Sequence, residues 1–130
     1  MTERDLKQLL KTLRVVVRDG VWAYATYAGD VWNGAKKPQN VALIFEEREG
    51  TTVIARVDEN TREDNRWVWL ELSVFSDLHA VGFLATIAKA LAEADVPCNA
   101  VAGFHHDHIF VPEDKAETAI AVLEALSERS

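Results

Sequence analysis

Trp67-Val68-Trp69-Leu70-Glu71-Leu72-Ser73-Val74-Phe75, followed by the apolar-periodic run from Gly82 to Ala94, decides the fold of this chain. The first stretch is rich in aromatic and β-branched residues, and Glu71 and Ser73 alternate with apolar neighbours, the two-residue period of a half-buried strand. The second places Phe83, Leu84, Ile87, Ala88, Leu91 and Ala94 at helical spacing. Pro97 stops that pattern, because the residue before a proline is pushed out of the helical region. Cys98 to Phe104 and His108 to Val111 read as two short strands around the polar turn His105-His106-Asp107. Pro112 then opens a helix with Ala116, Ala119, Ile120, Leu123 and Leu126 on one face. The order β-α-β-β-α predicts an α+β fold, with helices packed on one face of a mainly antiparallel sheet.

Working back from Trp67, the polar, aperiodic run Asp58 to Asn65 separates two halves, residues 1–65 and 66–130. In the first half Leu6, Leu9, Leu10 and Leu13 define one helical face, and Thr2 with Asp5 suggests a capping box. Asp19-Gly20 is a turn signal, and Val21 to Tyr27 is a strand. Gly29 to Asn40 contains two Gly, one Pro and two Asn and reads as a loop. Val41 to Phe45 and Thr51 to Val57 flank Arg48-Glu49-Gly50 as a hairpin.

At 130 residues the chain has room for one compact unit or two very small ones sharing a core. Its 14 Lys and Arg against 21 Asp and Glu give a net charge of −7, which argues against a nucleic-acid partner. Lys36-Lys37 is the nearest approach to a basic stripe and reads as solvated loop. One cysteine, Cys98, forbids an internal disulfide and suits a reducing compartment. No run reaches the 18 or so apolar residues of a membrane span, and the charged N-terminus does not resemble a signal peptide, so the expected location is the cytoplasm.

The stretch Ala80-Val81-Gly82-Phe83-Leu84, with Leu91-Ala92-Glu93-Ala94 and Cys98 to Pro112, resembles the ACT-domain superfamily. More narrowly, it is similar to small stand-alone proteins with two ACT-like halves, the resemblance being strong over Trp67 to Leu126 and confined to the element pattern over Leu6 to Val57. It implies ferredoxin-like βαββαβ modules, tandem or interlocked, the first half being degenerate. Such modules sense small ligands, most often amino acids, and pair into homodimers or higher homo-oligomers. The ligand commonly sits at the turn between the first strand and first helix, which often reads Asp-x-Pro-Gly-x-Leu. Gly82 and Leu84 fit that pattern, while Val81 replaces the proline, His79 stands where the aspartate would be, and Asp77 lies two residues earlier. The chain stops shortly after the last helix, so the closing strand would come from the first half, with Val21 to Tyr27 as the candidate.

Gly82 at a strand-to-helix junction would let a ligand approach the free N–H groups of the first helical turn, which attract a carboxylate. The expected ligand contacts are therefore Asp77, His79, Ala80, Val81, Gly82, Phe83 and Asn99. His106 and His108 share strand parity, but a metal site needs three or four ligands, so His79 or Cys98 would have to join them. The alternative is a polar hairpin whose histidines bond the backbone or face solvent. Cys98 on an apolar strand reads as a small hydrophobe. Trp67 and Trp69 share one sheet face, to be covered by a partner surface or by the helix of residues 2–13. With no paired carboxylates, phosphate loop, catalytic triad or nucleotide fingerprint, the expected function is non-enzymatic and cofactor-free. It is a regulatory small-ligand-binding protein; a metal-binding module or a purely structural, oligomerising protein are the alternatives.

Overall fold

The structure is a computed structural model that describes residues 3–28, 40–57 and 60–130. The readings that rest on Thr2, on the 29–39 loop with Trp32 and Lys36-Lys37, and on Asp58 lie outside those residues. The elements are α1 (Leu6–Thr12), β1 (Val15–Val17), β2 (Trp22–Tyr27), β3 (Val41–Glu46), β4 (Thr51–Arg56), β5 (Trp67–Leu72), α2 (Phe83–Glu93), β6 (Asn99–Ala102), β7 (Asp107–Pro112) and α3 (Ala116–Glu128). They fall into two compact units, Met1–Asp19 with Val68–Ser130, and Gly20–Trp67. Helix α1 and strand β1 thus belong with the C-terminal residues, whereas the polar run before Trp67 suggested a division at 65/66.

In the first unit β7 neighbours β5 and β6 lies outside β7, while β1 pairs antiparallel with β5 through Val15↔Leu72, Val16↔Glu71 and Val17↔Leu70. The path β5-α2-β6-β7-α3 is completed by β1, which gives the βαββαβ set of a ferredoxin-like module. The closing strand does come from the N-terminal segment: Val15–Val17 pairs with β5 over three residues, whereas Val21 to Tyr27 meets β5 at Trp22↔Trp67. Three consecutive valines favour extended backbone because branching at Cβ restricts χ1.

Strand parity sorts the side chains. Leu70, Leu72 and Val74 share one buried cluster with Leu9, Leu10 and Leu13 of the α1 region, Phe83, Ile87 and Leu91 of α2, Ile109 and Val111 of β7, and Ala119, Leu123 and Leu126 of α3. All three helices therefore cover one sheet face. Helix α1 is capped by Asp5, whose carboxylate accepts from Gln8 N at 2.9 Å, so the cap sits three residues later than a Thr2 box would place it. Helix α2 ends before Pro97 is reached: Asp95 turns left-handed at φ 61° and Val96 N donates back to Leu91 O at 2.9 Å.

The second unit is built on strands. β4 pairs antiparallel with both β2 and β3, and Glu47 N donates to Gly50 O at 2.9 Å across the hairpin turn. Trp22, Ala23, Val41, Val53 and Ile54 are its buried apolar residues. Asn65 acts as a surrogate strand residue there: its amide accepts from Tyr24 N at 3.0 Å and donates to Tyr24 O at 2.9 Å. Among the described residues no helix is long and apolar enough to cross a membrane.

Candidate functional site

After β5 the chain runs through a short loop into α2, and the N-terminal segment fastens that loop. Glu3 N donates to Phe75 O at 2.8 Å, and Asp77 N donates to Glu3 O at 2.9 Å. Arg4 Nε, on an exposed side chain, lies 3.2 Å from Oδ1 of the partly buried Asp77. Asp77 Oδ1 also accepts from His79 N at 2.7 Å, and Ala80 N donates to Asp77 O at 2.9 Å, which curls the loop into a turn. Gly82 follows at φ 88°, a left-handed conformation that disfavours any Cβ, although a Cβ there would meet nothing closer than Leu6 Cδ2 at 3.6 Å. Glycine is demanded here by backbone conformation, not by crowding.

This turn borders a cavity of about 150 Å³, lined by Asp77, Ala80, Gly82 and Phe83 and, from the hairpin strands, Ala102 and Asp107. Leu78, Leu84 and Ala85 complete the wall. At roughly 30 Å³ per water, such a volume holds a ligand of only a few heavy atoms. No side chain caps α2 at its N-terminus. The first-turn N–H groups have no partner within the helix, and the helix dipole favours an anionic group beside them.

Four of the residues expected from sequence, Asp77, Ala80, Gly82 and Phe83, thus meet at one cavity; His79, Val81 and Asn99 do not line it. His79 and Val81 are exposed, Val81 at 83%. Asn99 pairs with Phe110 across the β6–β7 ladder, so it shares that residue's face, while Ala102 and Asp107 pair on the cavity side. Asp107 is placed by the sequence pattern in the polar turn His105-His106-Asp107. It opens β7 instead, 6% exposed, with its parity toward the helices. That parity was readable from its alternation with His106 and His108; the cavity was not.

The opposite sheet face carries Trp69, His106 and His108. Trp69 Nε1 donates to His108 Nδ1 at 2.9 Å, which puts the imidazole proton on Nε2 and favours the neutral ring. Burial pushes the His108 pKa down; His106 and Arg18 add to this and Glu71 opposes it. His106 Nδ1 lies 3.2 Å from Val74 O and donates to it, since a carbonyl only accepts. Its Nε2 is 3.8 Å from Glu71 Oε2, and Arg18 pairs with Glu71 at 3.3 Å. The two imidazoles meet edge to face at 6.5 Å. Among the described residues no three His, Cys, Asp or Glu converge as a metal would require, so His106, His108 and His79 do not form one ligand set. Cys98 is half-buried, and burial raises its thiol pKa, which keeps it protonated and unreactive.

Trp67 and Trp69, both half-buried, make ring contacts within the chain and not with α1, which packs on the other face with Leu70 and Leu72. The Arg18 guanidinium lies 4.0 Å from the Trp69 ring centre, and Phe110 packs beside that ring. Trp67 meets Tyr24 edge to face at 5.4 Å and donates from Nε1 to Asn65 Oδ1 at 3.2 Å.

Among curated proteins there is no match to this chain. Solved structures are more informative. A Vibrio cholerae protein of unknown function, described as a possible transport protein, is 28% identical with a TM-score of 0.77, covering 94% of this chain and 95% of that one. An Agrobacterium tumefaciens protein is 16% identical with a TM-score of 0.68, covering 88% and 89%. A proposed C-terminal regulatory domain of aspartate kinase from Porphyromonas gingivalis is 15% identical with a TM-score of 0.57, covering 88% and 96%; at such identities the likeness concerns the fold. ACT-domain families match residues 1–64 and residues 65–125, which meet close to the polar run before Trp67. A βαββαβ module with helices on one face, and two such matches spanning nearly every residue, place this chain in the ACT-domain family.

Proposed function

We propose that this protein is a non-enzymatic regulatory module of the cytoplasm that binds a free amino acid and acts as a homodimer or higher homo-oligomer. The observation that carries the proposal is the 150 Å³ cavity at the uncapped N-terminus of α2, bordered by Asp77, Ala80, Gly82 and Phe83. The ligand's carboxylate would sit on the first-turn N–H groups, where the helix dipole supplies positive potential without a basic side chain. A net charge of −7 is compatible with this, because the attraction is local. Family membership supports a small-ligand regulatory role, and one neighbour of similar fold is described as a proposed C-terminal regulatory domain of aspartate kinase. The 150 Å³ volume favours a small amino acid over a nucleotide or drug-sized molecule, whose pockets run to about 300–1,000 Å³.

A thermal-shift screen of the twenty amino acids and the common carboxylates tests this. A ligand at a hundredfold excess over its Kd stabilises the native state by about 2.7 kcal/mol, which raises Tm by several degrees. One amino acid, or a chemically related few, is expected to give that rise. No shift for any compound at millimolar concentration would remove the proposal.

A further inference from the structure

Asp107 is a buried carboxyl group that the fold leaves with acceptor capacity to spare. It is 6% exposed, and among the described residues its hydrogen-bond partner is the Ser76 hydroxyl, 2.8 Å from Oδ2 and itself 5% exposed. An ionised carboxylate accepts up to about four hydrogen bonds, and a neutral hydroxyl supplies one. Buried charges normally find a cation, because desolvation is otherwise uncompensated. No Lys, Arg or His forms an ion pair with Asp107 among the described residues. The same side chain lines the cavity at the α2 N-terminus, together with Gly82 and Phe83. One small space therefore offers a source of N–H donors and, separately, a carboxylate with acceptor capacity to spare.

We infer that Asp107 receives the ammonium group of the ligand, so that a primary amine is obligatory and a plain carboxylic acid is rejected. The inference rests on the ligand-binding proposal above and narrows it: the ligand is a zwitterion, its carboxylate on the α2 amides and its amine on Asp107. An anion lacking the amine meets the same donors but also faces the Asp107 carboxyl group, which no Lys, Arg or His pairs with among the described residues. Ser76 is a positioning residue: its hydroxyl holds Oδ2 and leaves Oδ1 for the ligand.

The test is calorimetric titration of the full chain with three kinds of probe: the amino acid of largest thermal shift, the same molecule without its amino group, and the corresponding alkylamine without its carboxylate. In the native protein the deaminated acid is expected to bind about 10- to 100-fold more weakly, the range of a lost charged hydrogen bond. Asp107→Asn keeps the shape and the Ser76 bond; it should weaken amino-acid binding by a similar factor without lowering the Tm of the free protein. Ser76→Ala removes the bond that holds Oδ2, so it should lower that Tm and also narrow the preference for the amino acid over its deaminated form. If Asp107→Asn fails to fold, the comparison of amino acid with deaminated acid decides alone. Equal binding of those two probes, or unchanged affinity in Asp107→Asn, overturns the amine requirement while leaving ligand binding intact. If no probe binds the native protein, both proposals fall together.

Discussion

The two compact units spend their helices differently. Among the described residues the unit of Met1–Asp19 and Val68–Ser130 holds three α-helices, while that of Gly20–Trp67 holds strands and one 3-10 turn. Two ACT-domain matches divide the sequence near its middle, yet α1 and β1 of the first match pack with the second. A ferredoxin-like module needs a final strand beside its first, and β1 fills that place at Val15–Val17. The lesson is that a half recognised by sequence need not be the half that folds as a unit. The candidate ligand cavity lies wholly within the unit that gained the extra elements.

The largest expected effect comes from removing the borrowed elements. A chain beginning at Gly20 loses Leu9, Leu10 and Leu13, each buried, and the pairing of β1 with β5. At about 1.5–3 kcal/mol per buried leucine, the loss is comparable to the whole stability of a small domain. Residues 68–130 should then show no cooperative unfolding transition by circular dichroism; a normal transition would mean that the C-terminal half is self-sufficient.

Cavity-forming substitutions sharpen the same contrast. Ile87→Ala in the first unit and Ile54→Ala in the second, at 0% and 1% exposure, should each cost about 2–5 kcal/mol in denaturant unfolding. Only Ile87→Ala should weaken amino-acid binding, and equal weakening by Ile54→Ala would break the assignment of the site to one unit. Gly82→Ala comes next, at about 1–2 kcal/mol, because φ 88° is costly for any residue with a Cβ while the space around it is open. A loss near zero would show that the turn relaxes into another conformation.

The smallest effect is the pH dependence from His108. Its pKa is lowered in the fold, so the unfolded chain binds more protons in the range just below its ordinary value of about 6.5. The stability that neutral His108 contributes is present above that value and is lost as pH falls through it toward the folded pKa. Unfolding between pH 7.5 and 5.5 should show this decline, and His108→Gln should flatten it. An unchanged slope in the variant would place the effect elsewhere.

Much of the helix-bearing unit was legible in its sequence. Leucines at 6, 9, 10 and 13, the alternation of Trp67 to Phe75, and the run from Phe83 to Leu91 carry strong periodicities because each element buries one face. Strand β1 was not legible. Three valines in a row have no alternation, and three residues between a helix and the Asp19-Gly20 turn give no length signal. The closing role was therefore expected of Val21 to Tyr27, a longer and more aromatic run, which pairs along its length with β4 and meets β5 at Trp22↔Trp67. The site was half legible. Gly82 and Asp77 are sequence neighbours and betray a turn, but Asp107 reaches the cavity through the β7 register, a long-range relation that no local spacing encodes. Asn99 illustrates the converse: one residue of parity sends it to the other face.

The most direct measurement is a map of backbone amide chemical shifts as the tightest amino acid is titrated into the labelled protein. The expected perturbations centre on the loop from Asp77 to Ala85 and on Ala102 and Asp107, with the Phe83, Leu84 and Ala85 amides moving most. Perturbations concentrated between Gly20 and Trp67, or spread evenly along the chain, would contradict a ligand site at the N-terminus of α2.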